Sequence, residues 1–211
     1  PGVLCPILIG RENSLKLIEK AKKAPNTIFA IFCQRDADVE EPHQKDLYAY
    51  GVYARLVRVL EMPGHGQNVT AIIQAMGRCK LEKVTKTKPF LQGLTTIAPE
   101  VLPEPNDEEY QTAAEDFRKQ TIEYIKENDD IADEAQFALN NIQNNILSIN
   151  YMCTNLPFTN EDKMSMLEAN SMNERIMISL KVLNKEMQLL ELKKQIRTKT
   201  REDLDEQQRE Y

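Results

Sequence analysis

Few residues in this chain have the type and spacing that bond-making chemistry requires. The two histidines, His43 and His65, lie in loop-like stretches with no His or Cys partner at ligand spacing, so no metal site is expected. The five serines, Ser14, Ser148, Ser165, Ser171 and Ser179, stand outside any G-x-S-x-G turn. Ser179 and Lys181 are two positions apart in a helical stretch, which puts them on different faces and excludes a Ser–Lys dyad. A phosphate-cradling loop needs a glycine-rich turn ahead of Lys-Ser or Lys-Thr, and no G-x-x-x-x-G-K occurs. Cys5, Cys33, Cys79 and Cys153 form no C-x-x-C pair and read as small apolar residues in a reducing cytoplasm, Cys33 within TIFAIFCQ being the plainest case. In that compartment the glycosylation pattern Asn68-Val69-Thr70 is a chance match. Without a catalytic constellation or cofactor motif, the chain reads as a binding or assembly module.

The elements that would carry such a role have room to fold. A chain of 211 residues can bury about 70% of its extended surface, enough for one large or two small cores. Hydrophobic residues make up 41%, yet no apolar run approaches the 18 or so residues of a membrane span, so a membrane partner is not expected. The net charge of -6 argues against a nucleic-acid partner. Pro1 to Gly10 lacks the basic start and cleavage site of a signal peptide, and the opening Pro-Gly reads as a cut within a longer chain.

Composition breaks near residue 105, predicting a β domain over 1–105 and an α-helical domain over 106–211. All seven glycines precede the break, and so does the cluster Pro99, Pro103 and Pro105, which reads as a stiff connector. The first half carries a net +3 and the second a net -9. Pro6 to Ile9 reads as a strand, Glu12 to Lys23 as a helix with Leu15, Ile18 and Ala21 on one side, and Thr27 to Gln34 as a strand buried on both faces. Val52 to Leu60 points Val52, Ala54, Leu56 and Val59 inward, with Arg55 and Arg58 outward. Pro63-Gly64-His65-Gly66 turns the chain into a returning strand from Asn68 to Gln74. The pattern predicts a small, curved, mostly antiparallel sheet or open barrel, making the whole chain α+β.

The second half keeps a 3.6-residue rhythm. Asp107 caps a helix bearing Tyr110, Ala114, Phe117, Thr121 and Tyr124, and a second apolar stripe runs from Ile131 through Ala135, Leu139, Ile142, Ile146 and Ile149 to about Asn150. Leu156-Pro157 interrupts it. Thr159 with Asp162, then Ser171 with Glu174, read as capping boxes, the second opening a long protruding helix over about 172–211. Along it Ile176, Leu180, Leu183, Met187 and Leu190 form a seam that requires a partner helix, and oligomerisation through this seam, pairing neighbouring subunits, is one expectation. Six of the eight methionines fall between 152 and 187, where helical spacing favours core positions.

Several motifs, taken in order, resemble a known family. Pro6-Ile7-Leu8-Ile9-Gly10-Arg11-Glu12, Gln34 followed by acids to Glu41-Pro42, Asp46-Leu47-Tyr48 with Gly51-Val52, and the hairpin Arg58-Val59-Leu60-Glu61-Met62-Pro63-Gly64 resemble the amino-terminal region of Lon, the ATP-dependent bacterial protease family. Leu156-Pro157, Lys163, Leu167-Glu168, Asn173-Glu174-Arg175 and Gln207-Gln208-Arg209-Glu210-Tyr211 resemble its helical part. Ala75 stands where the family commonly has glycine, followed by Gly77 and Arg78, and the family's first strand would precede Pro1. The resemblance implies a PUA-like β domain, a helical bundle and a long helix leading toward an ATPase. It also implies a cytoplasmic role in recognising unfolded or damaged protein substrates and in hexamer assembly, with ATP, Mg and the Ser–Lys serine protease chemistry in domains beyond Tyr211. An apolar patch of Leu60, Met62, Phe90 and Leu91 is the candidate substrate contact, against a reading in which these residues close the β core. A stand-alone adaptor binding module of Lon-N type, without an ATPase, is the alternative reading.

Overall fold

The alternation of the first half becomes a single antiparallel sheet. In the computed structural model, which describes residues 1–61, 64, 66 and 68–209 with side chains through Asp205, the order is β1 (Leu4–Ile9), α1 (Glu12–Lys23), β2 (Ile28–Gln34), a 3₁₀ turn (Gln44–Asp46), β3 (Leu47–Glu61), β4 (Val69–Lys86) and β5 (Gln92–Ile97). The strands lie in the order β1-β4-β3-β2, with β5 also on β4. β4 organises the sheet: its early residues take β1, its later residues take β5, and β3 runs along its other side.

The inward face is set by register. Ala54, Ala71 and Ile73 are buried against Ile18 of α1, and Cys5, Ile7, Ile9, Phe29, Ile31, Leu56 and Val59 pack around them. Strict alternation after Leu56 would turn Arg58 inward; a register shift between Leu56 and Arg58 puts Val59 there instead. β2 departs from expectation. It is half-buried throughout rather than buried on both faces, and Ile28 is exposed, because among the described residues β2 pairs only with β3 and forms one end of the sheet. Its approach to β3 depends on Gly51, where a Cβ would lie 2.2 Å from the Ile31 carbonyl oxygen.

The chain divides into two compact units: Pro1–Leu102 with Leu167–Ser171, and Pro103–Met166 with Met172–Tyr211. Within the first, Arg78 is the buried cation. A second register shift, between Val52 and Ala54 on β3, brings Arg78 opposite Val52, with the side chain 1% exposed. Its guanidinium donates to the carbonyls of Ala98, Pro99, Leu167 and Ala169 at 2.8–3.2 Å, lies 3.7 Å from Glu100, and stands 5.5 Å from the Tyr50 ring centroid. One planar fork thus satisfies carbonyls from two stretches of sequence, a task that the point charge of lysine does not match.

The second unit contains α2 (Glu108–Glu127), α3 (Asp133–Asn140), α4 (Asn145–Asn155), α5 (Asn160–Glu168) and α6 (Met172–Arg209). Asp107 caps α2, accepting from the Tyr110 N–H at 2.9 Å. The apolar stripe expected to run unbroken from Ile131 to Asn150 is two helices. Asn144 accepts from the Leu147 N–H at 2.9 Å and so starts α4 afresh after the break at residues 141–144. Thr159 Oγ1 accepts from the Asp162 N–H at 3.1 Å, which is half of the capping box read there. Met152, Met164, Met166 and Met172 are buried, so the methionine-rich stretch is chiefly core.

Replacing Arg78 by Met removes the donor of four carbonyls and leaves Glu100 beside an apolar side chain. Urea denaturation is expected to show a loss of about 3–5 kcal/mol, with only part of it recovered by Arg78→Lys. A loss under 1 kcal/mol would mean that the carbonyls find other donors.

Candidate functional site

A broad concavity lies beside the uncovered end of the sheet. A groove of about 1030 Å³ lies within the first unit. Its floor is apolar, built by Ile7, Ile9, Ile73, Leu81 and Val84. One wall is β2 with the residue before it: six consecutive residues, Thr27 to Phe32, line the groove. A strand buried in a sheet offers only alternate side chains to one face, so a consecutive run means that the edge of β2 is presented. The opposite wall is Phe90 and Leu91, which follow β4, together with Gln92, Gly93 and Thr95 of β5. Tyr53 and Thr95 share a 2.7 Å hydroxyl hydrogen bond at the groove lining.

The lips are polar and fixed by local hydrogen bonds. At the start of β2, the Thr27 N–H and hydroxyl both donate to the Ala24 carbonyl, at 3.1 and 2.6 Å, tying the basic last turn of α1 to that end. Lys20, on that turn, stands 5.6 Å from the Phe90 ring centroid, a cation–π approach that holds the ring at the rim. At the other end, Gln34 donates to the Asp36 and Val39 carbonyls, and Arg11 donates to Gln34 Oε1 and to the Ala37 carbonyl, both at 2.8 Å. These bonds shape the loop that carries Glu40 and Glu41 to the groove. The Glu12 carboxyl is held below the usual carboxylate range by its hydrogen bond and charge pairing with Lys16 and by Lys88 nearby, while burial alone pushes the Cys33 thiol up.

Of the candidate contact residues, the structure brings Phe90 and Leu91 together on this groove. Leu60 is elsewhere. It pairs with Thr70, which pairs with Leu8, and that row lies on the face opposite Val59 and Ala71, where Leu8 is 69% and Leu60 36% exposed. Met62 lies outside the described residues, as do His65 and Pro63 of the hairpin turn. The sequence reading missed the groove's edge wall; the signal was the alternation of Phe29 and Ile31 within a strand taken as fully buried.

The seam on the long helix has a partner within its own chain. Ile176 and Leu183 are fully buried, and Leu180, Met187 and Leu190 pack partly buried on the same core as Tyr110, Ala114, Phe117 and Tyr124 of α2. With Thr121, also buried on α2, both stripes step by four, three, four and three. Asn173 donates to Asp107 at 2.7 Å across a separation of 66 residues, and Lys194 pairs with Glu127 across 67, so α2 and α6 run parallel and in register for the length of α2. Ile176 and Leu183 are thus taken up within the chain, while Leu180, Met187 and Leu190 keep part of their surface. Beyond Lys194, α6 continues past α2, with Ile196 and Leu204 exposed.

Among the described residues no group of three His, Cys, Asp or Glu side chains is placed to hold a metal, and no helix is long and apolar enough to cross a membrane. The arrangement offers shape, apolar surface and strand edge. Residues 1–185 match the model of the ATP-dependent protease La (LON) substrate-binding domain. The chain belongs to the LON substrate-binding domain family. It is 36% identical over 211 residues to the Lon protease of Flavobacterium johnsoniae and 39% identical over 215 residues to that of Porphyromonas gingivalis, covering all of itself in both cases. It spans about a quarter of the length of these relatives, 26% and 25%. The fold is similar to the N-terminal domain of the Mycobacterium avium complex Lon protease, with a TM-score of 0.63 at 17% identity, covering 87% of this chain and 91% of that one. An antiparallel β domain followed by helices and a long final helix is thus the fold of the family.

The packing of the seam predicts the behaviour of Leu183→Ala. Urea unfolding should lose about 2–5 kcal/mol, the range for a truncated buried leucine, while the sedimentation mass of the folded protein stays unchanged. A fall in mass with unchanged stability would place Leu183 in an intersubunit contact.

Proposed function

We propose that this domain captures unfolded segments of protein substrates for an ATP-dependent serine protease, with the groove between β2 and Phe90-Leu91 as the contact. The observation that carries the reading is an apolar-floored groove walled by an uncovered strand edge, in a chain of the LON substrate-binding family. An unfolded chain presents apolar side chains and unpaired backbone together, and this groove matches both. The Lon relatives are about four times as long, so ATP and Mg binding and peptide cleavage are assigned to other parts of the native protein. Several copies, six in a hexamer by the family resemblance, would multiply a modest affinity per domain. Four free cysteines suit a reducing cytoplasm.

The test is binding of fluorescently labelled, reduced and carboxymethylated α-lactalbumin to the 211-residue protein, followed by anisotropy. Substituting both Phe90 and Leu91 by serine should weaken binding at least tenfold with an unchanged circular dichroism spectrum. Leu60→Ser, on the opposite sheet face, should leave it within twofold. Equal binding by the double variant and the parent would reject the groove as the contact.

A further inference from the structure

We infer that the groove binds its substrate by strand addition: an extended, apolar segment pairs its backbone antiparallel with the free edge of β2, and its ends carry opposite charges. The inference rests on the reading of the groove as the substrate contact and adds the mode of recognition. Three observations carry it.

The first is the edge. Among the described residues β2 bonds to β3 alone, and Thr27 to Phe32 line the groove in an unbroken run. In an antiparallel strand alternate residues direct N–H and C=O to either side, so half of the β2 backbone groups face the groove and water. An added strand satisfies them without regard to side-chain identity, which suits a receptor for many sequences.

The second is the apolar lining beside that edge. A paired strand adds a repeat of about 4.8 Å beside β2 and places alternate side chains on the floor and toward solvent. The floor of Ile7, Ile9, Ile73, Leu81 and Val84 takes one set, and Phe90 and Leu91 close the far side.

The third is charge. Lys20 lines the groove from the last turn of α1, which the Thr27–Ala24 hydrogen bonds place at the start of β2, while Glu12, Lys16 and Lys88 also line it and offset one another near the first turn of α1. Glu40 and Glu41 line it from the loop anchored by Gln34, at the end of β2. Arg11 also stands at that end, but its guanidinium is engaged by Gln34 and Ala37. A strand antiparallel to β2 begins beside Glu40 and Glu41 and finishes beside Lys20, so the fitting segment is basic at its start and acidic at its finish.

The probe is a labelled octapeptide, Lys-Val-Thr-Val-Thr-Val-Thr-Glu, with capped ends, tested on the 211-residue protein in parallel with carboxymethylated α-lactalbumin. Strand addition predicts that N-methylating one alternate set of amides weakens binding at least tenfold, and that exchanging the terminal Lys and Glu weakens it about threefold at low salt. Hydrogen exchange should slow in β2, and not in the opposite sheet face bearing Leu8. If the peptide binds but tolerates methylation of either set, or if only the unfolded protein binds, strand addition is wrong while the substrate reading stands. If neither ligand binds, the substrate reading itself fails.

Discussion

A sheet that ends without closing leaves backbone donors and acceptors without partners, and the β unit is arranged around that constraint. β4 gathers β1, β5 and β3, and β3 holds β2 by one edge only. Natural proteins usually blunt such an edge with charge, proline or a covering element. Here α1 packs through Ile18 on the sheet's apolar face, and α1, that face and β2 together line the groove. The close approach of β2 to β3 at Gly51, the cation–π contact that steadies Phe90, and the loop held by Gln34 all keep that edge in place and accessible.

The helical unit answers a different requirement. Parallel helices cannot be joined by a short turn, so α3, α4 and α5 fill the return path between the end of α2 and the start of α6. The two stripes meet in register because the 66-residue offset between Asp107 and Asn173 also separates Tyr110 from Ile176 and Phe117 from Leu183. Buried polar groups hold the same region. Arg175 donates to the Met166 carbonyl at 2.7 Å and to Asn150 Oδ1 at 2.8 Å, and the Ser179 hydroxyl donates to the Arg175 carbonyl. Burial pushes the Tyr110 phenol up to about 12, keeping it neutral in the core.

Much of this was legible in the residues. The bounds of α1, the Asp107 cap, the inward pair Ala54 and Leu56, and the buried stripe of α2 follow from periodicity and capping chemistry. What failed did so for tertiary reasons. TIFAIFCQ has the composition of a central strand, and composition does not tell which strands will find a second neighbour. Asn144 reads as an ordinary polar residue until its side chain is seen capping a new helix. Arg78 lies in a strand whose alternation is reset by a register shift, so its burial could not be counted from the sequence. The seam on α6 and the stripe on α2 share one spacing in the sequence, and spacing alone does not tell that the two pack on one core. Phe90 and Leu91 read as an apolar patch in the sequence; that they line one groove with β2 is a product of the fold.

The central claim is that unfolded polypeptide enters the groove rather than lying on the opposite sheet face, where Leu8 and Leu60 are exposed. Site-specific photocrosslinking decides between them: a benzoylphenylalanine replaces Phe90 in one protein and Leu8 in another, and each is irradiated with carboxymethylated α-lactalbumin. Adducts from position 90 with little from position 8 are the predicted result. Adducts from position 8 with none from position 90 would contradict it.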